Sequence, residues 1–370
     1  MLVVDKTRFP RDKPCAELAS PGVEDVLRRI GAWPAVQAQR PRRLRGMQLI
    51  GPGGDRVTGL YPQGRALVLP RPQFDAALLT TARAYGAVVW EGVRVLDVVW
   101  AGGQVAGVVA APEPAQPVTA RLVVGADGLH STVARQVGAM RPGRWPQRTA
   151  LVTHLDDVAG LGRSAEVGEM HVRPGAYVGL APLPSGRVNV GLVLSTDAVR
   201  RRAGSVEQLF WQELARFPRL DGRLQGAQRT KQLMGLGPLS RRVRTAAGPG
   251  YLLVGDAAGF FDPFTGEGII RALRGAELAA AAADAILRAP AGIPDPAAGY
   301  QRARREAFIW KDILCLVIQA FVTCPPLLSY ALPRLRERPT LRPTLFGALA
   351  DTHPARRAVA PSYLAALMRP

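Results

Sequence analysis

The stretch Leu252-Leu253-Val254-Gly255-Asp256-Ala257-Ala258-Gly259, followed by Asp262-Pro263 and Thr265-Gly266-Glu267-Gly268-Ile269, decides how this chain folds. Residues Tyr251–Val254 form a short apolar run of the kind that becomes a buried parallel strand. The glycine that follows permits a tight turn, and the turn presents one carboxylate, Asp256. A brief loop then leads into the Ala-rich helical segment Gly268–Leu287. The free N–H groups and positive dipole end at the start of that helix suit an anionic group. A carboxylate at such a turn accepts hydrogen bonds from sugar hydroxyls, and the glycines let a flat ligand approach the backbone.

Working outward, the same alternation of apolar strands and helices recurs. Leu2-Val3-Val4 ends in Asp5-Lys6, a buried strand with an acid at its carboxyl end. Ser20-Pro21-Gly22 opens a helix with apolar Val23, Val26, Leu27 and Ile30, closed by Gly31. A second helix starts at Pro72, carries Phe74, Leu78, Leu79 and Ala82, and stops at Gly86. Strands are expected at Val88–Trp90 and Val93–Trp100, and Gly102-Gly103 turns the chain into Val105–Ala111. Leu122-Val123-Val124 is a further apolar strand. From about Thr149 to Leu194 the pattern is β, including Tyr177–Leu180 and Val188–Leu194, before a helix at Val206–Phe217. Ala297–Thr323 reads as a helix and the close of the chain is rich in Pro and Arg. The chain is α/β, a nucleotide-binding domain with a second, β-rich domain inserted into it.

Composition narrows the function. The 370 residues carry 48 basic and 29 acidic side chains, a net charge of +19. Only Lys6, Lys13, Lys231 and Lys311 are lysines; the arginines are dispersed along the chain and lack the interleaved aromatics that stack bases. Nucleic acid is therefore not expected as a partner, and anionic substrates or a peripheral contact with an anionic membrane fit better. The three cysteines (Cys15, Cys315, Cys324) cannot build a disulfide framework, so a reducing cytoplasm is the expected compartment. His130, His154, His171 and His353 lie far apart, without zinc-site spacing. The most apolar stretch, Ile313–Val322, is about half the length needed to span a bilayer and reads as a buried or interfacial helix.

The Leu252–Ile269 segment resembles the second FAD-binding motif of flavoproteins with a hydroxybenzoate-hydroxylase-like fold, and the geranylgeranyl reductase branch above all. The resemblance implies that Gly255 and Asp256 meet the FAD ribityl chain near the pyrophosphate, and that the backbone at Gly266, Gly268 and Ile269 faces the flavin pyrimidine. Val124-Gly125-Ala126-Asp127-Gly128 resembles the family's Asp-Gly motif, which implies that Asp127 and Gly128 support nucleotide binding and pyridine-nucleotide docking. Leu69-Pro70-Arg71-Pro72 resembles the segment whose arginine, here Arg71, approaches the FAD phosphates. Asp5-Lys6 and Phe9-Pro10-Arg11-Asp12-Lys13-Pro14-Cys15-Ala16-Glu17 resemble the reductase loop after the second strand. There Asp5 holds the adenosine ribose, Lys13 lies in the cofactor-binding loop, and Cys15 matches a cysteine beside the flavin, the one catalytic candidate. Ala16 stands where the branch has glycine. Segments Arg173–Pro184 and Val188–Gly191 resemble the sheet that covers the flavin; plain sheet core is the alternative, and His154 reads as structural.

The family opens with a strand, a Gly-x-Gly-x-x-Gly turn and a helix, and no such turn occurs here. The chain starts at what would be the second strand, so the natural start is expected upstream, and the missing strand is expected beside both the Leu2 and Val254 strands. The implied fold is a Rossmann-like FAD-binding domain without its first βαβ element (1–45, 70–145 and 246–290), an inserted β-rich substrate domain (46–69 and 146–245) and a helical C-terminal region (291–370). The implied function is FAD-dependent, with NADPH or NADH as transient reductant, reducing a carbon–carbon double bond in an isoprenoid-like or other small hydrophobic substrate. Flavin-dependent hydroxylation is the alternative, and a non-catalytic remnant of the fold is the alternative of another class. The basic stretch Arg40–Arg45 is either a solvated cluster or a partner for a diphosphate head group.

Overall fold

The computed structural model describes residues 1–111, 115–143, 145–288 and 296–369; the expected boundary between residues 290 and 291 lies outside them. In chain order, the elements that position the site are β1 (Leu2–Asp5), α1 (Val23–Arg29), β2 (Gly46–Ile50), β3 (Arg56–Leu60), α2 (Arg71–Ala84) and β4 (Val88–Glu91). They continue with β5 (Val123–Gly125), α3 (Thr132–Gln136), β6 (Arg148–Asp156), β7 (Val167–Arg173), β8 (Ala176–Pro182) and β9 (Val188–Ser195). Then come α4 (Val206–Leu214), β10 (Tyr251–Leu253), α5 (Gly268–Arg288), α6 (Pro296–Thr323), α7 (Pro325–Glu337), α8 (Arg342–Leu349) and α9 (Pro361–Met368).

Three pairs of the described strands run parallel, one of them β7 beside β2. β1 runs beside β4, with Leu2 opposite Val88 and Asp5 opposite Glu91. β5 runs beside β10, with Val123 opposite Tyr251 and Gly125 opposite Leu253. The apolar runs form strands here because β10 is buried on both faces, against Val133 and Ala134 around α3 and Ala279 of α5. Tyr300 on α6 fastens the layer by donating to Leu253 O at 2.6 Å. The expected open edge beside the Val254 strand is corrected. Residues Ala247–Gly248 pair with one side of β10, and Val254 N donates to Gly125 O on the other side at 2.9 Å. Among the described residues β1 has a ladder partner on one side only, and in the sheet of β10 the outer strand β5 pairs with β10 alone, with Val124 46% exposed.

The second sheet follows the order β6-β9-β8-β7-β2-β3, with the short Gln228–Arg229 strand beyond β6. Its strands alternate between two buried faces. Val178, Leu180, Val190 and Leu192 pack on Phe210 and Leu214 of α4. Val152, Tyr177, Val193 and Val172 face the C-terminal helices. At the β2–β3 hairpin the backbone comes close to those helices: a Cβ on Gly51 would lie 2.4 Å from Leu332 of α7, and one on Gly59 would lie 2.0 Å from Phe346 of α8.

Local departures from expectation have local causes. Ile30 is 38% exposed rather than part of the α1 core, because Gly31 at φ 71° turns the chain away at once. A short helix, Trp33–Ala38, and a small three-stranded sheet (Leu18–Ala19, Ala66–Val68, Arg42–Leu44) are too brief to leave a periodic signal. That sheet absorbs the basic stretch. Arg42 donates to the carbonyls of Gly162, Arg163 and Ala165, Arg43 pairs with Glu24, and Arg45 pairs with Glu166 at 2.9 Å. These three guanidinium groups are thus engaged by the protein itself. The Ile313–Val322 stretch sits in α6 with Leu314, Cys315 and Val322 buried and Leu316 exposed. Among the described residues no single helix is long and apolar enough to cross a membrane; α6 and α7 pass that test only as a pair bent by 109°.

Candidate active site

The loop between β10 and α5 forms as its sequence requires. Gly255 takes φ 59° at the end of the strand, and Gly266 takes φ 68° just before α5. Both are left-handed conformations that glycine adopts without a Cβ penalty. Asp256 stands between them and, among the described residues, its carboxylate makes no hydrogen bond or ion pair. It lines a small cavity of about 30 Å³ together with Gly255, Gly268 and Arg271. Gly268 begins a 21-residue helix whose first N–H groups are free of helical partners. Ile269 is half-buried and packs with Val23, Leu27 and Phe74.

Across from this loop, the second sheet offers a hollow. Gly179 of β8 and Gly191 of β9 are direct ladder partners. A Cβ on Gly191 would meet nothing within 4 Å, and one on Gly179 would touch only the Met170 side chain. An apolar cavity of about 170 Å³ runs from Ala16, Leu18, Pro263, Phe264 and Gly266, past Gly179, toward α7, α8 and α9. Its one charged lining residue is Glu169, whose carboxylate is already held by Arg223 at 2.9 and 3.1 Å and by His171 at 2.8 Å.

The remaining sequence-derived candidates fall into three situations. Lys13 and Gly128 are brought together: a Cβ on Gly128 would meet Lys13 Nζ at 4.0 Å. Asp127 and Asp5 are engaged locally. Asp127 accepts from Ser131 Oγ at 2.5 Å, Thr132 N at 2.7 Å and Val133 N at 3.2 Å, and so caps the start of α3. Asp5 Oδ1 accepts from Thr7 N at 2.8 Å and Thr7 Oγ1 at 2.6 Å. Arg71 is neither surface charge nor free: it forms a two-pronged contact with Asp75 at 2.9 and 2.8 Å and faces Cys15. Burial alone would lower its proton affinity, and the interactions with Cys15 and Asp75 outweigh that and raise it. The half-buried Cys15 sulfur accepts from Glu17 N at 3.3 Å.

Three buried polar clusters around the site went unassigned in the sequence. In the first, Glu17 accepts from Asn189 Nδ2 at 3.0 Å and Arg71 N at 3.1 Å, lies 2.7 Å from His154 Nε2, and pairs with Lys231. Burial works to raise the Glu17 carboxyl, but His154, Lys231 and Asn189 pull harder and hold it below the usual carboxylate range. In the second, Asp262 accepts from Tyr177 OH at 2.6 Å, Gln319 Nε2 at 2.8 Å and Arg148 Nη1 at 3.0 Å. Burial nonetheless leaves the Asp262 carboxyl above its ordinary value. In the third, Lys311 of α6 lies 3.2 Å from Glu267 and 2.9 Å from Asp351, tying α6 to the loop before α5. The signal that was available is polarity out of place: His154 and Asn189 interrupt apolar strands and are ladder partners on the same face.

A model of the FAD binding domain family matches residues 1–292. The chain belongs to this FAD-binding family. Its similarity to digeranylgeranylglycerophospholipid reductase 2 of Methanothermobacter thermautotrophicus is 33% identity over 250 residues, 66% of this chain and 62% of that protein. To menaquinone reductase of Mycolicibacterium smegmatis it is 29% over 297 residues, 76% of this chain and 69% of the relative. The chain thus spans about six- to seven-tenths of the length of these relatives. A solved flavin-dependent brominase shares the fold, with TM-score 0.80 at 20% identity over 94% of this chain and 87% of the brominase. The flavin end of the site fits FAD on its own geometry. A free carboxylate, a left-handed glycine, an open helix N-terminus and a side-chain-free trough in the facing sheet are what a ribityl chain and a flat ring system need.

Proposed function

We propose that this FAD-binding chain is a reductase of carbon–carbon double bonds in a hydrophobic, isoprenoid-like substrate, with NADPH or NADH as the reductant. The supporting observation is the apolar cavity that starts at the Pro263–Gly266 loop, where the backbone would face the flavin. FAD, when bound, supplies the hydride chemistry. Asp256 is free to accept hydrogen bonds from the ribityl hydroxyls. The N-terminus of α5 lends positive potential where negative charge develops on reduction. The cavity wall, made of leucines, Phe264, Ile318 and Phe321, excludes water and orients an apolar chain by shape. Cys15, set against Arg71 and the Glu17 amide, stands next to Ala16 of the cavity lining and is the catalytic candidate of this loop.

The test is anaerobic turnover of FAD-loaded protein with NADPH and a prenylated substrate, followed by mass spectrometry. Reduction gives a product two mass units heavier for each double bond saturated. A product that instead gains oxygen or halide, and only in air, assigns the site to oxygen chemistry and removes the reductase proposal.

A further inference from the structure

The apolar cavity ends in the C-terminal helices, and that end is fixed rather than loose. Tyr330 OH donates to Met368 O at 2.9 Å, Arg334 Nε to Arg369 O at 2.9 Å, and Arg338 to Ala366 O at 2.5 Å. Tyr363 OH reaches Leu341 O at 3.1 Å. These bonds satisfy the carbonyls of the last turn of α9 and hold the helix against α7. Leu367, 7% exposed, is the α9 side chain that belongs to the apolar cluster of Leu332, Leu335 and Phe346, and it lines the cavity.

The dimensions are restrictive. From Gly179 on β8 to the β3 edge, under α7 and α8, there are three strand spacings, about 14 Å. A cavity of about 150 Å³ admits a benzene-sized group, and this one measures about 170 Å³. It has room for the reactive end of an apolar chain and little more.

We propose that Leu367 sets the length of the apolar group the cavity admits, so that one or two isoprene units enter and the rest of a longer chain stays outside. The proposal rests on the cavity being the hydrophobic-substrate site. It is independent of which reaction the flavin performs.

The experiment is calorimetric titration of the purified protein with prenol, geraniol, farnesol and geranylgeraniol, which lengthen by one isoprene unit or more at each step. In the wild type, affinity should rise to geraniol and then level off. Leu367→Ala should let farnesol gain roughly tenfold over the wild type, while Leu367→Trp should cost geraniol a similar factor and leave prenol unchanged. Leu367→Met, which conserves volume, should reproduce the wild-type series, and Leu367→Trp carries the test if the alanine variant fails to fold. Affinity that keeps climbing to geranylgeraniol in the wild type, or the same series in all variants, overturns the length limit while leaving a hydrophobic site in place. Absence of binding by every prenol overturns both.

Discussion

Glu17 Oε2 and His154 Nε2 lie 2.7 Å apart, joining the loop that carries Cys15 to the sheet on the far side of the site. Glu17 is held at φ 57°, a left-handed conformation unusual for a residue with a Cβ, and its side chain is fully buried. Such strain persists only where the surroundings over-determine it, and here four groups converge on one carboxylate. Removing it by Glu17→Ala leaves buried His154 without its side-chain partner and Lys231 with Asp12 alone. The expected loss is about 3–5 kcal/mol, as for a broken buried ion pair, measured as a shift of the urea midpoint at pH 7.

The same carboxyl predicts an acid limb. Its pKa is depressed below the ordinary 4.5, so the unfolded chain binds the proton more tightly than the folded one. The Glu17 contribution is therefore complete above about pH 4.5 and is lost as pH falls through the folded-state value. Glu17→Gln should show a shallower loss of stability below pH 4.5 than the wild type, by denaturant titrations at a series of pH values. Parallel curves below pH 4.5 would contradict the assignment.

Gly59 is a packing prediction. Its missing side chain is the space that the Phe346 ring occupies, at 2.0 Å from an ideal Cβ. Gly59→Ala should push α8 off the β2–β3 hairpin and cost about 1–3 kcal/mol. Combining it with Phe346→Ala should recover part of that loss, which a double-mutant cycle reads directly.

Asp262 separates a hydrogen bond from a charge. Tyr177→Phe removes one of several donors to Asp262 and should cost about 1 kcal/mol. Asp262→Ala leaves Arg148, nearly buried, without its counter-charge and should cost about 3–5 kcal/mol. Equal losses in the two variants would mean that the Arg148 pair carries no special weight.

The strand–turn–helix at Leu252–Ile269 was legible because its glycines and apolar run are local features, and so were α1, α2 and the β-rich block. What sequence could not supply was the company each side chain keeps. Asp127 stands in the expected Asp-Gly motif, yet its oxygens cap α3. Arg71 occurs where the resemblance expects an arginine, but Asp75 and Cys15 engage it. Glu17 meets His154 across 137 positions and Asp262 meets Arg148 across 114, separations that no periodicity encodes. An open side was expected on both the Leu2 and Val254 strands; β1 has a partner on one side only, whereas β10 is flanked by β5 and by the two-residue Ala247–Gly248 strand, which is too short to announce itself.

Binding of FAD by the Asp256 turn and the α5 N-terminus is read most directly from the visible absorption spectrum of the purified chain titrated with FAD. The expected result is a structured, red-shifted flavin band that saturates, and a loss of affinity of roughly tenfold or more in Asp256→Ala, since a charged hydrogen bond is worth about 1.5–3 kcal/mol. A flavin spectrum unchanged from free FAD at saturating concentration, with the chain folded, would contradict it.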